Sequence, residues 1–163
     1  MTNPGQSAAV NRPGPPPPWI FRFANKIIRP LLASPFHKPL SGRLMLLTYT
    51  GRKSGRRFTI PIGYFDWDPG TVLALSSHLG WVINLRGGPT VGLRIRGRNR
   101  IAVPVVIEGP GEIVAVLKEF ADRKGPKAAK GLMLGLPGDR QPTQQELRDA
   151  AARTRLVRFQ LTA

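Results

Sequence analysis

Cysteine is absent from this chain of 163 residues. That excludes disulfides, thiolate nucleophiles and thiolate metal sites, and it fits a cytoplasmic setting. Histidine is almost as scarce: His37 and His78 are the only two, and their spacing makes no metal site. Long apolar runs are missing as well. The longest, Ile101 to Ile107, is interrupted by Pro104 and is strand-sized, well short of the ~18 residues that span a bilayer. No Gly-x-Ser-x-Gly elbow is present to carry a serine nucleophile. The most telling absence is of acids: none occurs before Asp66, while ten Lys or Arg precede it.

What is present follows from that imbalance. Lys and Arg number 25 against 9 Asp and Glu, a formal charge of +16. Such a field attracts anions of every kind, whether nucleic acid, anionic lipid or a small polyanionic cofactor. Charge alone does not choose among them.

The chain divides into three expected parts. Residues 1–18 hold Pro15 to Pro18 and no apolar core, so they read as a disordered, partly polyproline leader and not as a signal peptide. Residues 19–39 read as an amphipathic helix and linker. Apolar positions 20, 24, 27, 28 and 31 share one helical face, Arg22, Lys26 and Arg29 oppose them, and Pro30, Pro35 and Pro39 are expected to break the chain. Such a helix lies on the domain surface or makes peripheral contact with anionic membrane at its cytoplasmic face, Trp19, Phe21 and Phe23 anchoring it.

Residues 40–163 read as the folded domain. Strands are expected over Arg43–Thr50, Arg57–Phe65, Thr71–Ser77, Thr90–Arg96 and Arg100–Glu108, with a sixth over Leu156–Leu161. Turn signals separate them at Gly51…Gly55, Asp66-Trp67-Asp68-Pro69-Gly70, Gly87-Gly88-Pro89 and Gly97-Arg98-Asn99. Trp81 to Arg86 reads as a short helix, Ile113, Val116, Leu117 and Phe120 mark another, and Thr143 to Glu146 forms a capping box opening a third. The expected class is α+β: about six antiparallel strands closing into a small barrel with flanking helices.

One stretch stands out for its chemistry. "TYTGRKSGRR" (48–57) concentrates four cations on a tight turn with no acid nearby. It is not a Walker loop, because arginine rather than glycine precedes Lys53 and a strand follows. A hairpin turn can still hold phosphate: Gly51 and Gly55 would let backbone N–H groups approach, Ser54 would donate its hydroxyl, and Arg52 and Lys53 would supply charge. The alternative is a solvated basic turn. The carboxylate pair Asp66 and Asp68 is expected to be a solvated turn pair and not a catalytic acid and base.

A second stretch, "SSHLGWVINLRGGP" (76–89), follows in fixed order. Together the two resemble the deazaflavin-dependent nitroreductases and quinone reductases, which have the split β-barrel fold of flavin-binding oxidoreductases. "LLTYTGRKSG" is similar to that family's "LLTTTGRKSG", and "GWVINLRGGP" resembles its "AWYLNLRANP"; the likeness runs from about Leu40 to Ile107. It implies binding of coenzyme F420, a 5-deazaflavin with a phosphate and polyglutamate tail. Gly51, Arg52, Lys53 and Ser54, with Arg56 and Arg57, would meet the tail. Pro61, Ile62, Ala74, Leu75, Ser76 and Ser77, with Trp81, Val82, Ile83 and Asn84, would surround the ring. Two departures accompany the likeness: Ser77-His78-Leu79 replaces a longer Lys-Gly-Gly loop, and Phe58 stands where an arginine often follows the turn.

The implied activity is hydride transfer from reduced deazaflavin to a small organic acceptor such as a quinone, nitro compound or activated alkene. It needs orientation and a dry pocket more than a catalytic dyad. Ser76, Ser77 and His78 are the candidates for a proton donor, alongside water, and no metal is expected. The alternatives keep the barrel and change the ligand: flavin mononucleotide (FMN), a haem-type group, or a lipid or fatty acid bound without chemistry. Nucleic acid ranks below the cofactor reading. Arg94, Arg96, Arg98 and Arg100 would line one face of a hairpin, but no aromatics interleave with them.

Overall fold

A computed structural model describes residues 18–33, 42–77 and 80–162, with side chains from Lys26 onward. Residues 1–17 of the proline-rich leader, Pro35, Pro39, His37 and His78 lie outside the described residues, as do the side chains of Trp19, Phe21 and Phe23, while Pro18, expected to end the leader, opens the first helix.

Seven strands form one antiparallel sheet: β1 (Leu44–Thr50), β2 (Arg57–Gly63), β3 (Phe65–Asp68), β4 (Thr71–Ser76), β5 (Val91–Ile95), β6 (Arg98–Ile107) and β7 (Arg155–Leu161). Their order is β2-β1-β5-β6-β7-β4-β3. The two edge strands, β2 and β3, are consecutive in the chain and separated by Tyr64 alone. One residue spans only ~3.5 Å, so the two edges must meet there and the sheet must curl on itself. This is a split β-barrel. Among the described residues four α-helices accompany it: α1 (Pro18–Ala33), α2 (Pro110–Lys124), α3 (Pro126–Gly131) and α4 (Gln144–Ala152).

The alternation along β7 shows how the core divides. Val157 and Phe159 point into the barrel with Met45, Leu47, Val72 and Leu93, while Leu156 faces outward onto α2 and α4. Ile113, Val116, Leu117 and Phe120 form the buried stripe of α2, as their spacing predicts. The capping box is present too: Glu146 N–H donates to Thr143 Oγ1 at 3.2 Å and Thr143 N–H to Glu146 Oε2 at 2.8 Å. The two strand prolines sit where the ladder tolerates them. Pro61 is on edge strand β2, and Pro104 lies beyond Ala102, where β6 has left β5 and pairs only with β7.

Several expectations need correction. The strand expected over Arg57–Phe65 breaks at Tyr64, whose N–H turns to Arg43 O at 3.0 Å. The expected turn at Asp66–Gly70 is mostly a strand, β3, which brings the sheet to seven strands among the described residues. The register shifts between Asp66 and Asp68, a bulge that lets Trp67 be buried while both flanking acids stay exposed. Trp67 then stacks on Phe120 at 6.3 Å and lies 4.7 Å from the Arg123 guanidinium. Asp66 and Asp68 are not a solvated turn pair either: Arg96 binds the first and Arg123 the second. The β5–β6 turn is Arg96-Gly97, not Gly97-Arg98-Asn99, since Ile95 pairs with Arg98. Pro30 does not end α1. In the last turn it costs one backbone bond, and the helix runs on to Ala33. Of that helix's expected apolar face, Ile27 is 65% exposed and Ile28 and Leu31 are half-buried, while Leu32, outside that face, is buried.

Candidate functional site

The basic turn is built by its own backbone. Gly51 N–H donates to Arg56 O at 2.8 Å, Gly55 N–H to Gly51 O at 2.9 Å, and Arg56 N–H to Ser54 Oγ at 3.3 Å. Gly55 has φ +64, a conformation that favours glycine. Gly51 is needed for a different reason. A Cβ there would lie 2.7 Å from Ser54 Oγ and 2.9 Å from a ring carbon of Phe58. The two glycines therefore do not offer their N–H groups to a ligand, as the sequence suggests; both donors are already engaged in closing the turn.

The second stretch docks against the first. Val82–Leu85 is a single 3₁₀ turn. Arg52 N–H donates to Asn84 Oδ1 at 2.9 Å, and Arg52 Nη1 to Ile83 O at 3.3 Å. Asn84 is itself fixed, its Nδ2 donating to Gly80 O at 3.1 Å and its N–H to Trp81 O at 3.2 Å. Just beyond, Arg86 grips Glu108 with two bonds of 2.9 and 2.7 Å. The hydrogen bonds from Arg86 hold the Glu108 carboxyl below its usual range. Arg52 is thus a tie between two loops more than a free cation.

Between these loops lies a cleft of about 520 Å³. Gly51, Arg52, Lys53 and Ser54 form one side, and Ile83 and Asn84 the other. Tyr49 and Phe58, which the site candidates did not include, form its aromatic wall. They are cross-strand partners with rings stacked at 5.5 Å and 25°. Tyr49 sits two residues before Gly51 and continues the inward-facing row of Met45 and Leu47, half-buried at the end of β1. Burial pushes the Tyr49 phenol above its usual pKa, so it stays a neutral donor through neutral pH.

The remaining candidates are spread around this cleft. Arg56 and Arg57 are exposed on the turn's far limb, and Pro61 is half-buried on β2. Ile62, Ala74 and Val82 bury their side chains in the barrel core, with Trp81 packed at its margin. Leu75 packs instead against the helix-side core. Ser76 is half-buried, Ser77 is exposed, and neither lines the cleft.

No carboxylate lines the cleft, and no His, Cys, Asp or Glu cluster among the described residues could hold a metal. The arrangement supplies binding and orientation. It joins a flat apolar wall to uncommitted cationic groups: the side chain of Lys53 makes no ion pair among the described residues. That donor set fits a planar ring carrying an anionic tail.

The molecule is an α+β split barrel with a cationic, aromatic-walled cleft at one end. The family model described as F420H(2)-dependent quinone reductase matches residues 21–125, and the chain belongs to that family. Among solved structures, a F420-H2 dependent reductase (FDR-A) is 19% identical, with 72% of this chain and 93% of that one covered at a TM-score of 0.41. HutZ, the haem storage protein from Vibrio cholerae, is 18% identical, covering 80% and 91% at 0.45. A FAD-binding protein from Mesorhizobium loti is 17% identical, covering 83% and 88% at 0.44. Comparison with curated proteins finds no match.

Proposed function

We propose that this protein binds coenzyme F420 in the cleft between the basic turn and the 3₁₀ segment and reduces a small organic acceptor. Quinones, nitro compounds and activated alkenes are the acceptor classes. The observation that carries this reading is the junction of two unlike surfaces in one cleft. The stacked pair Tyr49 and Phe58 offers an apolar wall for a planar ring, and Lys53 stands beside it without an acidic partner.

When bound, the reduced deazaflavin supplies a hydride. The chain's own residues have simpler work. Lys53 and the Ser54 hydroxyl hold an anionic tail through charge-assisted bonds. Arg52 and Asn84 fix the distance between the turn and the 3₁₀ segment, so the cleft has one width. Tyr49, Phe58 and Ile83 exclude water from one face of the ring. Ser76 and Ser77 stand outside this wall, so the proton that completes the reduction comes from solvent or from the Tyr49 phenol that lines it.

Fluorescence titration tests the ligand and a quinone-reduction assay tests the chemistry. Reduced and oxidised deazaflavin should bind more tightly than flavin mononucleotide or a nicotinamide dinucleotide, and menadione should be reduced only with the deazaflavin present. Equal or tighter binding of flavin mononucleotide would overturn the ligand assignment. Tight deazaflavin binding with no reduction of quinone, nitro or alkene acceptors would leave a binding protein and not a reductase.

A further inference from the structure

The sheet register puts a second cationic region at the opposite end of the barrel. Leu46 faces Arg94 and Thr48 faces Gly92. The basic turn after Thr50 therefore lies where β5 begins, and the Arg96-Gly97 turn lies where β1 begins. The seven residues of β1 separate them, roughly 23 Å of extended chain.

At that far end a cleft of about 630 Å³ opens between the β3–β4 turn, the β5–β6 hairpin and the last turn of α2. Its floor is apolar, with Trp67, Val72 and Ile95 all buried. Arg98, Arg100 and Lys124 line its rim. Asp66 and Asp68 line it too, but each already has an arginine, Arg96 for the first and Arg123 for the second. The side chains of Arg98, Arg100 and Lys124 make no hydrogen bond or ion pair among the described residues.

The rim is also held in place. Arg96 has φ +48 and Gly97 φ +76, both left-handed, as a two-residue hairpin turn requires. Asn, Asp or Gly is the usual choice at the first of these positions, and arginine there is strained. The strain coincides with a latch: the Arg96 guanidinium binds Asp66 and lies 5.9 Å from the Tyr64 ring centre. The β5–β6 hairpin is thereby fastened to β3, and Arg98 is fixed two residues beyond the latch.

We propose that this cleft is a second anion site, separate from the deazaflavin cleft, which takes a compact polyphosphate-type anion of two or three charges. Three unpaired cations around one opening suit a multivalent ligand, and guanidinium forks match phosphate oxygens. Nucleic acid fits less well, because Trp67, the aromatic residue lining this cleft, is buried and presents no face for a base.

The test is calorimetric titration of the full chain with pyrophosphate as the probe. Wild type and Lys53→Ala should bind it alike, while the double variant Arg98→Ala/Arg100→Ala should lose roughly tenfold or more in affinity. Both arginines are exposed, so the double variant should keep its melting temperature, and the thermal melt checks this. The proposal fails if wild type does not bind, if the double variant stays within about twofold, or if Lys53→Ala alone removes binding.

Discussion

The basic turn at 51–57 and the arginine stripe at 94–100 look alike in sequence, four closely spaced cations in each, yet the fold treats them differently. In the stripe, Arg94 donates from Nε to Leu32 O and from Nη2 to Ala33 O, both at 3.2 Å, closing the C-terminal end of α1. Arg96 is bound to Asp66. Half of that stripe is structural. In the turn only Arg52 is engaged, and Lys53, Arg56 and Arg57 have no acidic partner among the described residues. Cations with partners hold the fold, and cations without them are available to a ligand. Counting charges along the chain cannot make that distinction.

The most damaging test of this contrast is Gly51→Ala. The new methyl would collide with Ser54 Oγ and the Phe58 ring, so the Ser54 side chain and the aromatic wall must both shift. Overpacking of this kind typically costs about 1–3 kcal/mol. Deazaflavin binding should fall below detection by fluorescence titration, together with a lower melting temperature. Binding within tenfold of wild type would show that the cleft does not depend on this turn geometry.

Arg52→Ala should come next. It removes the side-chain bond to Ile83 O but leaves the backbone bond to Asn84, so the cleft loosens without opening fully. A roughly tenfold loss of deazaflavin affinity is expected, about the value of one charge-assisted bond, with little change in its salt dependence. If the salt dependence collapses instead, Arg52 is a direct anion contact and not a tie.

Arg94→Ala should act on the other quantity. Loss of three bonds from a half-buried guanidinium, two of them to helix-end carbonyls and one to Asn99 Oδ1, should lower stability by about 1–2 kcal/mol, read by urea denaturation. Deazaflavin affinity should not move.

The smallest effect belongs to a pair remote from both regions. Hydrogen bonds from Arg140, then from Thr143, lower the Glu146 carboxyl to about 2. A depressed carboxylate pKa stabilises the fold above the unfolded value and loses that contribution as pH falls towards the folded value. Acid melts of wild type and Glu146→Gln should therefore converge between about pH 4.5 and about pH 2. Curves that stay parallel across that window would show that Glu146 has no such role.

Much of this was legible in the sequence. The β-branched runs located the strands, the i, i+3, i+4 spacing located α2, and Thr143 to Glu146 located α4. Misreadings arose where distant partners override local signals. Asp66-Trp67-Asp68 carries turn residues, yet it becomes a strand because Phe120 stacks on Trp67 and two arginines from elsewhere bind the acids. Arginine is not a usual turn residue, so local sequence favours the triplet Gly97-Arg98-Asn99 over the Arg96-Gly97 turn that the strand register sets. Helix α3, six residues after Gly125, is too short to show a period. The two motifs of the site were visible as separate stretches. Their joining through Arg52 and Asn84, and the pairing of Tyr49 with Phe58 across β1 and β2, depend on tertiary contact and strand register.

The most direct measurement compares Lys53→Ala with Arg94→Ala in one fluorescence titration with deazaflavin, run at low and at high salt. At low salt Lys53→Ala should bind roughly ten- to hundredfold more weakly than wild type, with a gap that narrows as salt screens the interaction, and Arg94→Ala should match wild type throughout. Equal losses in the two variants, or no loss in Lys53→Ala, would contradict the account.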